Sequence, residues 1–189
     1  LNVTQVFGGD DVSGTTNLTG AFGLVAIGEV GKRYGVPLER SGHMMTVCYQ
    51  RYMERIPKGV RRLAGRLAMR HTGLVNKALK RKDEKNRANN EQNPGSFLTA
   101  TQEPTEEYPV NYHNLHCPLV AFAKSKGLEE YMPYLCNLDY AMFGALYLPL
   151  YRESVLSDGD AYCDFKFKPG AEVPAAWPPH ILDEDDPLK

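Results

Sequence analysis

The chain has 189 residues, of which 42% are hydrophobic and 24% charged, with a formal net charge of −1. These proportions suit one globular domain with a substantial core and exclude a chain too polar to fold. No run of about eighteen apolar residues occurs, which excludes a membrane-spanning helix and leaves no membrane partner expected.

The first half reads as helical. AFGLVAIGEVGKRYG has apolar residues at helical spacing and stops at Gly35 and Pro37. SGHMMTVCYQRYMERI (41–56) offers Ser41 as an N-cap and an apolar stripe through Met44, Val47, Cys48, Tyr52 and Ile56, and Pro57 interrupts it. The helical pattern resumes over 59–87, with Val60, Leu63, Leu67, Leu74 and Leu79 on one side and arginines elsewhere. KRKDEKNRANNEQNPGS then reads as a polar connector ending at Pro94-Gly95.

Between Arg51 and Arg87 there are thirteen Lys or Arg and only three acids, so the rest of the chain is net acidic. A nucleic-acid surface would need aromatic stacking platforms among these charges, and the segment supplies only Tyr52, so no nucleic-acid partner is expected. A solvated helix face, or an anion-attracting rim to a pocket, are the two readings that remain.

The second half changes character. Segments 96–104 and 108–116 read as strands around a short acidic turn, and 117–149 as helix in two pieces broken near Gly127 or Pro133. YRESVLSDGDAYCDFKFKPG (151–170) reads as a hairpin turning at Ser-Asp-Gly-Asp. The expected fold is α+β: an N-terminal helical layer on a small antiparallel sheet, with a long helical segment between its two hairpins. One domain over 1–189 is expected, with a helical part (1–90), an α+β part (96–170) and an acidic Pro-rich tail (171–189). A homo-oligomer is compatible with all of this.

The four cysteines, Cys48, Cys117, Cys136 and Cys163, are widely spaced and include no Cys-x-x-Cys pair, which points to reduced thiols in a cytoplasmic protein. Cys48 lies on the apolar stripe and reads as core, and His43 and His71 as structural or solvated. Three thiols stand beside other reactive groups. Cys117 precedes Pro118, a favoured first helical residue, so it is expected at an N-cap, where free backbone N–H groups lower a thiol pKa. His116 adjoins it, and His113, three residues earlier, falls on the other side of the strand. Cys136 and Asp139, at i and i+3, share a helix face as a nucleophile and base or two metal ligands would. Cys163 alternates inward on its strand and Asp164 outward, where pairing with basic residues of the N-terminal helices is open to it.

Taken together, NLHCP (114–118), KGLEEYMPYLCNLD (126–139) and RESVLSDGDAYCDFKF (152–167) give the run 114–168 a pattern that resembles the L-2-amino-thiazoline-4-carboxylic acid hydrolase family. Arg152, Gly159, Cys163, Asp164 and Phe165 occupy the matching places of its hairpin. The resemblance implies hydrolytic opening of a small cyclic C–N/C–S substrate bearing a carboxylate. It makes Cys117, Cys136, Asp139, Cys163 and His116 the catalytic candidates, and Arg152, Asp164 and His113 the substrate-binding ones. No cofactor is expected on that reading. The rival is a binding module in which Cys117, Cys136 and Cys163 hold a zinc or iron ion, and a scaffold whose cysteines are all core is the third.

Overall fold

The computed structural model describes residues 12–172. Its elements run α1 (Val12–Arg33), α2 (Leu38–Met53), α3 (Lys58–Arg70), α4 (Thr72–Gln92), β1 (Leu98–Thr101), β2 (Val110–His116), α5 (Pro118–Lys126), α6 (Met132–Ala145), β3 (Leu150–Tyr151) and β4 (Cys163–Phe167), with short 3-10 turns at Glu129–Tyr131 and Leu156–Asp158. The class is α+β, as expected. The four strands form one antiparallel sheet in the order β1-β2-β4-β3, so the two expected hairpins join through β2 and β4. No helix among the described residues is long and apolar enough to cross a membrane. The tail expected over 171–189 lies, from residue 173 onward, outside the described residues.

One face of the sheet carries the core. Val110 and Tyr112 of β2 pair with Phe167 and Phe165 of β4, and these side chains pack with Tyr140 and Phe143 of α6 and Val75 and Leu79 of α4. Tyr112 stacks on Phe165 with ring centroids 4.7 Å apart, an offset arrangement that adds to the area both rings bury. A second cluster joins Val120 and Ala123 of α5 to Met132 at the start of α6. Cys136 and Leu156 touch both clusters and tie them together.

The boundaries differ from the sequence pattern in four places, each for a local reason. Ser41 is buried inside α2 rather than capping it, because the helix already starts after Pro37. The expected helix over 59–87 divides at His71 into α3 and α4. The polar connector from residue 80 is instead the second half of α4, whose polar face docks on polar strand residues. Asp83 accepts hydrogen bonds from the Thr99 hydroxyl (2.7 Å) and the Thr101 amide (2.6 Å), and Asn86 donates to the Thr99 hydroxyl (2.9 Å). The 151–170 hairpin keeps only two residues of its first strand, and a loop from 152 to 162 replaces the tight turn. That loop leaves the ladder because carboxylates take over its amides: Asp164 Oδ1 accepts from the Glu153 and Ser154 N–H groups (2.9 and 2.8 Å), and Asp160 Oδ2 accepts from Val155 (2.7 Å).

The apolar stripe of α3 stays in solvent: Val60, Leu63 and Leu67 are exposed, as are Leu74 and Cys48. What docks α3 is its Gly65 and Arg61. A Cβ on Gly65 would lie 2.0 Å from the Leu146 carbonyl oxygen, so only glycine permits this approach. Arg61 donates to the Ala145 carbonyl (2.9 Å), and Arg61 and Arg62 flank the ring of Tyr147, the residue in the left-handed conformation (φ 58°) that closes α6.

Candidate active site

Three elements bring the expected thiols to one place. Cys117 stands at the N-cap of α5, as the Cys-Pro pair predicts, and Pro118 fills the first turn. Cys136 and Asp139 lie on α6 one turn apart. Cys163 opens β4 on the core face of the sheet, opposite Asn114. Cys136 packs against the cluster that holds Cys163 and against the one that Cys117 borders, so it stands between the other two thiols.

Asp139 is the centre of that arrangement. Its side chain is partly exposed, with 35% of its surface open. Asp139 Oδ2 accepts a hydrogen bond from Arg152 Nη1 at 2.9 Å, while the Arg152 side chain is only 1% exposed. The same Nη1 donates to the Cys136 carbonyl (3.3 Å), and the guanidinium carbon lies 4.6 Å from the Phe165 ring centre. Burial opposes the charge of Arg152, but Asp139 and the other acidic groups around it together outweigh burial and hold the guanidinium protonated. Burial also pushes the Asp139 carboxyl up, in spite of Arg152. Asp139 therefore takes up a proton more readily than an ordinary carboxylate.

The thiols are not activated in the way the helix start suggests. Burial pushes Cys117 up to about 11, against the N–H groups of Val120 and Leu119 in the first turn of α5. It pushes Cys136 up to about 12, against the charge of Arg152. Desolvation outweighs the helix terminus, because a thiolate here would exchange bulk water for apolar neighbours. Burial raises Cys163 too, although its sulfur accepts the Leu156 N–H at 3.2 Å. Cys136 Sγ is 3.7 Å from the Ser157 hydroxyl. The consequence is measurable: at pH 8, iodoacetamide should alkylate exposed Cys48 first. Cys117 should follow orders of magnitude more slowly, since a thiol titrating near 11 is about one part in a thousand ionised there. Mass mapping of labelled peptides against time checks this, and equal rates at Cys48 and Cys117 would contradict it.

The remaining candidates sit elsewhere. His113 and Asp164 face each other across β2 and β4, one residue out of step with Cys163, and so occupy the opposite face of the sheet. His113 stacks on Tyr162, centroids 4.0 Å apart. Asp164, expected to point outward toward the basic helices, is buried and pairs with Lys166 of its own strand (2.9 Å) besides the two amides. Burial opposes the Asp164 charge, yet the Ser154 N–H, Lys166 and the Glu153 N–H hold the carboxyl below the ordinary range. Neither residue reaches the thiols. His116 is on the thiol side by strand parity, with Nδ1 at 3.0 Å from the Ser96 carbonyl oxygen. Arg152, expected to grip a substrate carboxylate, already grips Asp139. Among the described residues no three His, Cys, Asp or Glu side chains are grouped as a metal ion requires. Tyr49 of α2 and Tyr112 of β2, which also feel the Asp139 charge, were not singled out by sequence; their only signal there is an aromatic residue within an otherwise ordinary stripe.

Comparison with known proteins yields no matching curated protein and no matching solved structure. The family profile described as L-2-amino-thiazoline-4-carboxylic acid hydrolase matches residues 39–167. That span includes α2 to α4 as well as the 114–168 run that carried the resemblance, and it ends with β4. The thiols, the Asp139–Arg152 pair and the sheet that holds them all fall inside it, and the chain belongs to the L-2-amino-thiazoline-4-carboxylic acid hydrolase family.

Proposed function

We propose that this protein hydrolyses a small cyclic substrate of the 2-amino-thiazoline carboxylate type, with Asp139 as the group that moves protons. The observation that carries the reading is the Asp139 carboxylate itself: partly open to solvent and fixed at 2.9 Å by a buried arginine. Family membership supports the substrate class. In this scheme Asp139 takes a proton from a water as its oxygen bonds to the ring carbon between nitrogen and sulfur. The carbon–sulfur bond then breaks, and the two protons of the water end on the ring nitrogen and the leaving sulfur. Arg152 positions the carboxylate, and the neutral Cys117 and Cys136 thiols face the substrate as weak donors. Their raised pKa values favour this role over that of standing thiolates.

The test is direct assay of 2-amino-thiazoline-4-carboxylate opening by the purified protein, following appearance of the free thiol and of N-carbamoyl-cysteine. Cys117→Ser and Cys136→Ser should each retain turnover within about tenfold, as expected for a lining role. Abolition by either single change would move the chemistry to a covalent cysteine intermediate. No product from the wild-type protein would remove the substrate class.

A further inference from the structure

A helix of a folded domain ordinarily turns its apolar stripe inward, and α3 does the reverse. Gly65 and Arg61, one turn apart, meet the Leu146 and Ala145 carbonyls. Leu63 and Leu67 each stand two residues from Gly65, about 200° round the helix, and so point away from that contact. Val60, Leu63 and Leu67 are 55%, 54% and 45% exposed, and Ile56 and Leu74, just beyond the two ends of α3, are exposed as well. Arg66 and Arg70, both exposed, each follow one of these leucines by three residues and so edge the stripe. From Arg55 to Lys82 the chain has ten Lys or Arg and no Asp or Glu, so no local acid answers this charge. A second copy of the face would set like charges against each other, and a nucleic acid would leave the leucines without a partner. The stripe is the outer flank of a docked helix rather than a groove, so a partner helix has no trough to lie in.

We propose that α3 is a membrane-surface helix whose outer face binds an anionic phospholipid bilayer, with Val60, Leu63 and Leu67 entering the boundary between headgroups and acyl chains and Arg66 and Arg70 at the phosphates. A bilayer offers acidic groups beside apolar chains over a broad surface, which is what an outward leucine stripe edged by arginines complements. The arginine stems lie along the apolar chains while the guanidinium groups stay at the phosphate level. The expectation of no membrane partner rests on the lack of a spanning segment, and a helix that lies on the surface needs none.

The test is cosedimentation of the full chain with vesicles of phosphatidylcholine alone and of phosphatidylcholine mixed with phosphatidylserine. The native protein should sediment with the mixed vesicles, less so as salt rises, and not with phosphatidylcholine alone. Arg66→Gln/Arg70→Gln should weaken the partition by about thirtyfold, the loss of two cations at the surface. Leu63→Ser/Leu67→Ser leaves the charge unchanged and should weaken it by about tenfold or more. All four side chains are exposed, so the urea midpoints of both variants should match the native one and separate lost binding from lost fold. Lys124→Gln/Lys126→Gln removes the same charge from exposed positions of α5 and should leave the partition within about twofold of native. No sedimentation with the mixed vesicles would overturn the proposal, as would an equal loss from the α5 variant. Full binding by Leu63→Ser/Leu67→Ser would overturn it too, since adsorption would then be by charge alone. An acidic protein as the occupant would show as polyglutamate binding at least as tight as vesicle binding, and a second copy as a dimer that Leu63→Ser/Leu67→Ser abolishes; either result rejects the lipid surface.

Discussion

Asp139→Asn is expected to leave the fold intact and lower turnover by about 10²- to 10⁴-fold, the usual contribution of a positioned acid–base group. The amide is nearly isosteric, and its oxygen still accepts from Arg152 Nη1, 2.9 Å away in the native protein. What it loses is basicity. The pH profile separates this from a structural effect. Burial raises the Asp139 carboxyl, so the active, ionised form accumulates only as pH rises through that raised value, and the acidic limb of kcat/KM should sit above the ordinary carboxylate range. In the variant that limb should vanish. The linkage to stability has the opposite sense: for a carboxyl raised on folding, the stability contribution is full below its unfolded value and lost as pH rises through the folded one. Asp139→Asn should thus unfold at the same urea concentration as the native protein or a higher one at neutral pH. Activity retained within about threefold of native would reject Asp139 as the proton-transfer group.

The largest effect on stability is expected at Asp164. Asp164→Ala should cost about 3–5 kcal/mol, the range for removing one partner of a buried charge pair. The change orphans the Glu153 and Ser154 amides and leaves Lys166 only the more exposed Glu153 (2.6 Å). Asp164→Asn keeps one oxygen acceptor for the amides and should lose less. The Asp164 carboxyl is held below its unfolded value, so its contribution is present above the ordinary aspartate range and is lost as pH falls through the depressed one. Urea midpoints collected from neutral to strongly acidic pH should converge for the native protein and Asp164→Asn at the acid end. An Asp164→Ala midpoint within about 0.5 kcal/mol of native would contradict the role.

Asp164 also shows where the sequence is and is not legible. Strict alternation in DAYCDFKF places Cys163 inward and Asp164 on the other face, and the parity is right. Alternation carries no information about what covers that other face, and here the loop from 152 to 162 folds over it. The Cys-Pro pair at 117–118 announced its helix start, because proline's fixed φ is a local property. Its thiol pKa was not legible, since desolvation depends on elements far away in sequence. The same holds for Arg152: a strand-leading arginine in a family pattern suggests an anion, but only the fold reveals that the anion is Asp139. In α4 the polar run after residue 80 looked like a connector, because helix stability came from Thr99 and Thr101 rather than from an apolar stripe. The exposed Val60, Leu63 and Leu67 are the converse, a clean apolar period with no described partner.

The β2–β4 ladder has a kinetic consequence. His113 and Asp164 are neighbours across it, although about fifty residues of chain separate them, and closing such a loop is slow compared with forming helices or the β1–β2 hairpin. Until that pairing forms, Cys163 and Arg152 have no fixed relation to Cys117, Cys136 and Asp139. Early folding species rich in helix would hold every residue of the site and none of its geometry, so activity should be recovered only with the last, longest-range step of refolding.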